Sequence, residues 1–146
     1  MQLYLDTCCL NRPFDDHSHA RILLESQAIL SILAKCEAGV FDLISSEVLS
    51  NENNLNPFPQ KKAFVESVLA SSSLFVMLND SSENRALELE TRGFKSFDAL
   101  HVAVAESAAA DYFCTCDDRL LSRARIQTDL AVKVRSPLEL AQEIFS

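Results

Sequence analysis

Residues that divide a chain into separate units are scarce in this sequence. It has only two glycines and four prolines among 146 residues, and it contains no linker rich in serine, glycine or proline, no low-complexity tract and no internal repeat. The length is close to the commonest domain size and allows a well-buried core. The sequence therefore predicts a single domain that covers residues 1–146.

Signals for export or membrane insertion are also lacking. The first residues, MQLYLD, have no basic region followed by an apolar stretch, and no apolar run approaches the ~18 residues of a transmembrane helix. The five cysteines are an odd number, which does not suit a framework of paired disulfides. We therefore expect a soluble, cytoplasmic protein with reduced thiols.

Positive charge is in short supply. Acidic residues outnumber lysine and arginine by 21 to 13, which gives a formal net charge of −8. A protein that binds nucleic acid through bulk electrostatics normally needs a basic face, so this class is disfavoured. A nuclease whose negative charge is concentrated around metal ions remains compatible with the composition.

Short apolar runs alternate with longer stretches of helical periodicity. The predicted strands lie at about 2–6, 40–44, 74–78, 112–114 and 130–134. The predicted helices lie at about 18–38, 46–54, 60–71, 81–92, 97–109, 117–127 and 137–145, and Gly39 closes the first of them. This alternation predicts an α/β fold with a central, mostly parallel sheet of about five strands and helices on both faces.

Two helix starts have recognisable capping patterns. Ser136 is followed by Pro137 and by Glu139 three residues after the serine, and Asp80 is followed by Glu83 at the same spacing. These patterns predict that Ser136 and Asp80 are the N-caps of the last helix and of the helix near 81–92.

Several acidic residues follow the predicted strands directly. Asp6 ends the first strand, Glu47 opens the helix after the second, and Asp117 with Asp118 follows the fourth. In a parallel α/β sheet these positions share one edge, where ligands usually bind. Asp98 lies in the first turn of the helix before the fourth strand, and it reaches this edge only if the helix near 81–92 crosses the end of the sheet.

A single acid in the first turn of a helix usually just caps backbone N–H groups. Four acids embedded in apolar segments with few basic neighbours are different, because a buried carboxylate needs compensation and a divalent cation would provide it. Oxygen ligands suit Mg²⁺ or Mn²⁺ better than Zn²⁺, and such ions activate water and stabilise charge on a phosphate. Phosphodiester hydrolysis is therefore the leading reaction class.

The ordered segments LYLDT, SSEVLSNE, SFDALHVAVA and YFCTCDDRLL resemble the PIN-domain family of metal-dependent ribonucleases, particularly the VapC-type toxins of prokaryotic toxin–antitoxin pairs. The resemblance extends over nearly the whole chain. It implies an α/β/α sandwich that binds Mg²⁺ or Mn²⁺ and cleaves single-stranded RNA. It also implies a small antitoxin protein as partner and a homodimer as a common assembly.

Residue roles follow from the same resemblance. Matching the motifs makes Asp6, Glu47, Asp98 and Asp117 the catalytic metal ligands, with Thr115 supporting the site through its hydroxyl. The chain departs from the family at Cys8, where Ser or Asn is common.

Other residues with possible chemistry have more ordinary interpretations. We expect the cysteines to be small buried thiols, because Cys8 and Cys9 would point to opposite faces if the first strand continued. We expect His101 to be a packed, hydrogen-bonded histidine, and Glu52 to lie on a solvated face although it could support the site. Arg12 and Arg119 are candidate contacts for RNA phosphates because they lie near proposed ligands.

Two alternative functions stay open at this stage. Cys8 and the acidic surface also suit a degenerate PIN-like module that binds RNA or protein without cutting. A phosphotransfer or phosphatase domain could use Asp6 as a nucleophile, but the second Asp expected two residues later in a haloacid-dehalogenase-like site is replaced by Cys8.

Overall fold

A computed structural model describes residues 1–145. The sheet strands are β1 (Gln2–Leu5), β2 (Asp42–Ser46), β3 (Leu74–Val76), β4 (Tyr112–Cys114) and β5 (Lys133–Arg135). The helices are α1 (Thr7–Asn11), α2 (Ala20–Glu37), α3 (Glu47–Asn54), α4 (Pro59–Ala70), α5 (Asp80–Thr91), α6 (Ser96–Ser107), α7 (Asp118–Arg125) and α8 (Pro137–Phe145), with a 3₁₀ turn at Arg12–Phe14. Among the described residues, no helix has the length and apolar character that crossing a membrane would require.

The five strands form one parallel sheet in the order β3-β2-β1-β4-β5, which confirms the predicted fold class. Strand β1 lies at the centre, and Leu3, Tyr4 and Leu5 are fully buried. From β1 the chain adds β2 and β3 on one side of the sheet and then β4 and β5 on the other side. The crevice beyond the carboxyl ends of β1 and β4 therefore lies where the direction of winding changes, and α/β sheets usually bind ligands at such a point.

The start of α6 lies at the carboxyl edge of the sheet, which is the position that Asp98 needs in order to lie near Asp6. Strand β4 is parallel to β1, so α6 must run from the carboxyl edge back to the amino edge before β4 begins. Helix α5 starts after the carboxyl end of β3 and packs on α6. It therefore crosses the end of the sheet instead of returning along a face, which was the condition for Asp98 to share an edge with Asp6.

Three local predictions need correction. The first strand ends at Leu5, and α1 follows at once because the Asp6 carbonyl accepts hydrogen bonds from the Cys9 and Leu10 amides (2.9 and 3.2 Å). Strand β5 begins three residues later than predicted and ends one residue later, at Arg135. The N-cap of α5 is Asn79, which exchanges hydrogen bonds with Ser82, so the prediction of Asp80 was wrong.

Other local predictions are confirmed. Helix α2 is closed by Gly39, whose positive φ of 79° lets the chain reverse so that the Val40 amide bonds the Lys35 carbonyl. Ser136 and Glu139 form the predicted reciprocal cap: the Ser136 amide donates to Glu139 Oε1 at 3.0 Å, and the Glu139 amide donates to Ser136 Oγ at 3.2 Å.

Candidate functional site

Asp6 occupies the switch point of the sheet, and its side chain is held from two sides. Its amide bonds the Cys114 carbonyl at 2.9 Å, which extends the pairing of β1 and β4 by one residue. One carboxylate oxygen accepts from the Thr7 amide (2.7 Å) and the other from the Thr115 hydroxyl (2.9 Å). The residue is only 5% exposed, so its carboxylate has a fixed position beneath the edge.

Thr115 connects Asp6 to the next acid along the edge. The Thr115 oxygen accepts a hydrogen bond from the Asp117 amide at 3.1 Å while its proton goes to Asp6. The Asp117 side chain caps α7 by accepting from the Arg119 amide at 2.9 Å. One hydroxyl thus fixes the separation between Asp6 and the loop that carries Asp117.

Asp98 completes a group of three aspartates. It lies half-buried in the first turn of α6. Burial, followed by the charges of Asp6 and Asp117, raises the pKa of Asp98 to about 6. The structure therefore brings together three of the four acids singled out in the sequence.

Glu47 does not join this group. Its carboxylate accepts a hydrogen bond from the Leu78 amide at 2.9 Å and so holds the connection between β3 and α5. The acid that α3 directs to Asp6 is Glu52, whose Oε1 lies 3.1 Å from His101 Nε2. Oxygen atoms of Asp6 and Glu52 and a ring nitrogen of His101 all lie within 4.8 Å of one another. The expectation of a solvated Glu52 was wrong.

The sequence does contain a signal for Glu52. Val48 and Leu49 are the apolar residues of α3 and are buried. Glu52 follows them by four and three residues and so shares their face of the helix, whereas Glu47 is displaced from Glu52 by about 140° around the axis. The apolar face of α3, not the proximity to the strand end, indicates the inward acid.

His101 is fully buried at the base of the site, as expected for a packed histidine. Its Nδ1 lies 2.7 Å from the Tyr4 hydroxyl, which is itself 2.8 Å from the Ser46 hydroxyl. Burial opposes a charge on the ring, but the Glu52 hydrogen bond and the nearby Asp6 and Glu52 carboxylates outweigh it and raise the pKa of His101. This chain of polar groups orients Glu52 from inside the protein.

The electrostatics of Asp6 favour a cation beside its carboxylate. Burial, with a further contribution from Cys8, raises the pKa of Asp6 to about 8. His101 and the Thr115 hydroxyl act in the opposite direction but do not outweigh burial. A carboxylate this costly to ionise gains from a cation beside it. Its neighbours are oxygens of Glu52, Asp98 and Asp117 and the Nε2 atom of His101, which contacts Glu52. The carboxylate oxygens suit a hard ion such as Mg²⁺ or Mn²⁺.

The basic residues near the site differ in whether their side chains already have an acidic partner. The Arg12 guanidinium is directed inward, 3.2 Å from the buried Glu25 and 3.0 Å from Asp15. Arg119 is exposed and lines a small cleft together with Lys95, Asp98 and Arg123. Within residues 1–145, the side chains of Lys95, Arg119 and Arg123 have no ion pair.

Asp118 is held away from the aspartate group. Its carboxylate receives two hydrogen bonds of 2.8 Å from the Arg21 guanidinium, and this partner lowers the pKa of Asp118. Asp118 is thus engaged in an ion pair with Arg21, and Asp117 as the fourth acid stays a prediction.

Cys8 packs directly against the carboxylate group. Its sulfur lies 3.5 Å from Asp6 Oδ2 and 3.3 Å from the Thr115 hydroxyl. All five cysteines are free thiols, with Cys9, Cys114 and Cys116 buried and the other two partly so. The first strand does not continue through Cys8 and Cys9, because both residues lie on α1. The argument that they point to opposite faces of a strand was therefore wrong.

Comparisons with known proteins identify a family and two structures of similar fold. A family model described as the PIN domain matches residues 3–126. No curated protein sequence gives a significant match.

Two solved structures share the fold. The structure of VapBC2 from Rickettsia felis, bound to a DNA fragment from its promoter, has a TM-score of 0.62 at 14% identity, covering 93% of this chain and 98% of the matched chain. The structure of VapBC-1 from nontypeable Haemophilus influenzae has a TM-score of 0.56 at 14% identity, covering 94% and 99%.

Proposed function

This chain belongs to the PIN-domain family, and we propose that it is a Mg²⁺- or Mn²⁺-dependent endoribonuclease that hydrolyses single-stranded RNA. The observation that supports this most strongly is the convergence of Asp6, Asp98 and Asp117 at the switch point of the sheet, with Glu52 beside them. The working unit is proposed to be one domain spanning residues 1–146.

The proposed metal ligands are Asp6, Glu52, Asp98 and Asp117, so Glu52 replaces the Glu47 expected from the sequence. A divalent ion bound there would supply an activated water and stabilise charge on the phosphate. Thr115 fixes one oxygen of Asp6, and His101 fixes Glu52, so both carboxylates are oriented before anything binds.

The cleft beside Asp98 gives the substrate a place to bind. Lys95, Arg119 and Arg123 surround it as cations without an ion-pair partner in residues 1–145, next to an otherwise acidic site. Phosphates of an RNA strand are suitable partners for such groups. We propose that Arg119 and Arg123 position the strand and that Arg12, which is engaged by Glu25, does not.

We further propose that the protein is the toxin of a toxin–antitoxin pair in the cytoplasm. The two solved structures above are VapBC complexes. The net charge of −8 would favour an antitoxin segment of opposite charge over the acidic edge, and a homodimer is a compatible assembly.

A cleavage assay tests the activity. We expect the purified protein to cut single-stranded RNA in Mn²⁺, to lose activity with a chelator, and to cut duplex RNA poorly. Asp6→Asn, Asp98→Asn and Asp117→Asn should each reduce kcat/KM by at least about 100-fold, equivalent to roughly 3 kcal/mol of transition-state stabilisation. Asp118→Asn is the matched control, since Asp118 pairs with Arg21. Equal cleavage by Asp6→Asn and the wild type would exclude the proposal.

A non-cleaving module that binds RNA or protein is the second candidate. The observation in its favour is the Cys8 thiol against Asp6 and Thr115, where a harder polar group is usual in the family. Calorimetry with Mn²⁺ separates the two candidates: tight metal binding with RNA turnover supports the nuclease, and the absence of both supports the module.

A further inference from the structure

Three thiols gather directly behind the carboxylate site. The Sγ atoms of Cys8, Cys9 and Cys116, which we call the thiol cluster, all lie within 4.8 Å of one another. Two come from the first turn of α1 and the third from the loop after β4. The pairing of Leu5 with Cys114 in adjacent strands brings these two segments together. The cluster thus rests on the same sheet register that fixes Asp6.

The distance between two of these thiols matches that between thiolates around a tetrahedral metal ion, and the third lies within 4.8 Å of both. Zn–S bonds of about 2.3 Å imply sulfur–sulfur separations of about 3.8 Å along the edges of a tetrahedron. The Cys9 and Cys116 sulfurs are 3.6 Å apart. Thiolates are soft ligands that select Zn²⁺ and similar ions over Mg²⁺ or Mn²⁺. The cluster and the carboxylate group therefore have different metal preferences although they are adjacent.

The surroundings also suit bound thiolates. The Cys116 amide donates a hydrogen bond to Cys8 Sγ at 3.2 Å, the kind of contact that orients a ligand. The Arg12 guanidinium interacts electrostatically with Cys116, and its Nε is buried without a hydrogen-bond acceptor among the described residues. Three thiolates with one divalent ion have a net charge of −1, and the Arg12 guanidinium beside Cys116 is a cation that they would share with Glu25 and Asp15.

Cys8 is the most exposed thiol of the cluster. Cys9 is fully buried and Cys116 is 5% exposed, whereas Cys8 is half-buried at the edge of the site. Cys8 is therefore the ligand that an incoming ion would meet first.

We propose that Cys8, Cys9 and Cys116 form a three-thiolate binding site for a soft divalent cation, with Zn²⁺ as the fitting ion. Each ligand thiol releases its proton to solvent as its sulfur bonds the metal. The site is separate from the proposed oxygen-ligand site, and its existence does not depend on ribonuclease activity.

Cobalt titration tests the proposal without an activity assay. Reduced, metal-free protein should develop a thiolate-to-cobalt charge-transfer absorption with Co²⁺ at a 1:1 ratio. Excess Mg²⁺ should leave this band unchanged, and Zn²⁺ should abolish it. In parallel, Zn²⁺ should slow the alkylation of Cys8 and leave that of Cys36 unchanged, because these are the two partly exposed thiols and only Cys8 belongs to the cluster.

Single variants identify the ligands. Cys8→Ser and Cys116→Ser should weaken cobalt binding at least about tenfold, while Cys36→Ser, which removes a thiol outside the cluster, should bind as the wild type does. Cys8→Ser changes a half-buried position, so circular dichroism should show an intact fold. Absence of the charge-transfer band in the wild type, or an unchanged band in the folded Cys8→Ser protein, would overturn the proposal.

Discussion

Glu47 and Glu52 show how strongly the role of an acid depends on its position around a helix. Both follow β2 and lie on α3. In the structure, Glu47 holds the Leu78 amide, while Glu52 reaches the His101 ring. The apolar pair Val48 and Leu49 determines which of the two faces inward, because a helix buries its apolar side whatever its distance from the strand.

Exchanging each glutamate for glutamine separates these roles. We expect Glu52→Gln to weaken Mn²⁺ binding about 10- to 100-fold, because it removes a charged oxygen at the site and the acceptor for His101. Glu47→Gln should keep Mn²⁺ affinity and lose about 1 kcal/mol of stability through a weaker bond to the Leu78 amide. Calorimetry and thermal melts measure both quantities. The reverse ranking in Mn²⁺ affinity would return Glu47 to the ligand set.

The cationic cleft allows a second comparison between residues. Arg119 and Arg123 lack ion pairs within residues 1–145, whereas Arg125 bonds Glu139 at 2.8 Å. With a cleavage-deficient Asp98→Asn background, we expect Arg119→Ala and Arg123→Ala to weaken single-stranded RNA binding. Each should reduce the slope of log affinity against log salt by about 0.7 for every RNA phosphate that is no longer neutralised. Arg125→Ala is the control, and equal effects from all three variants would indicate general charge attraction and not a positioned strand.

At the scale of elements, the strands and the helices of eight or more residues could be predicted, whereas the five-residue α1 and the 3₁₀ turn could not. The pattern over residues 18–38 identified α2 because five helical turns repeat its apolar spacing. Helix α1 has only five residues, and its apolar letters continue those of β1 without a change of period. It is held by the Asp6 carbonyl and by packing, neither of which leaves a periodic signal.

The cap of α5 gives a stability prediction. Asn79 accepts from the Ser82 amide at 2.9 Å, and the Ser82 hydroxyl accepts from the Asn79 amide at 3.0 Å. We expect Asn79→Ala to cost about 1 kcal/mol of unfolding free energy. Asp80→Ala should cost less, since that acid contributes only through the helix dipole. Chemical denaturation measures the free energy of unfolding of both variants. A larger loss from Asp80→Ala than from Asn79→Ala would contradict the assigned cap.

For the whole molecule, the sequence predicted a parallel five-stranded sheet but not its strand order. Alternating strands and helices imply parallel pairing, since antiparallel neighbours need no crossover helix. The placement of β1 between β2 and β4 depends on long-range packing. The same packing decides that α5 crosses the sheet end, and so whether Asp98 meets Asp6 at all. The site was therefore predictable as a set of acids at one edge, while its geometry needed the fold.

The charge of the assembled site predicts how pH and metal act on overall stability. The folded-state pKa of Asp6 is raised to about 8, and in an unfolded chain it is about 4. Between these values the folded protein holds a proton that the unfolded chain has lost, so the free energy of unfolding falls as pH rises from about 4 to about 8. Asp6→Asn removes this dependence, because asparagine resembles the protonated acid.

Thermal melts at pH 5 and pH 8 test this relation. In metal-free buffer, we expect the Tm of the wild type to fall relative to that of Asp6→Asn between the two values. Mn²⁺ requires the ionised carboxylate, so it should raise the wild-type Tm more at pH 8 than at pH 5. At a concentration of 100 times Kd, bound Mn²⁺ adds about 2.7 kcal/mol to the free energy of unfolding. Asp118→Asn should follow the wild type throughout. A Tm difference between wild type and Asp6→Asn that stays constant with pH would show that Asp6 ionises normally and that its burial does not control metal binding.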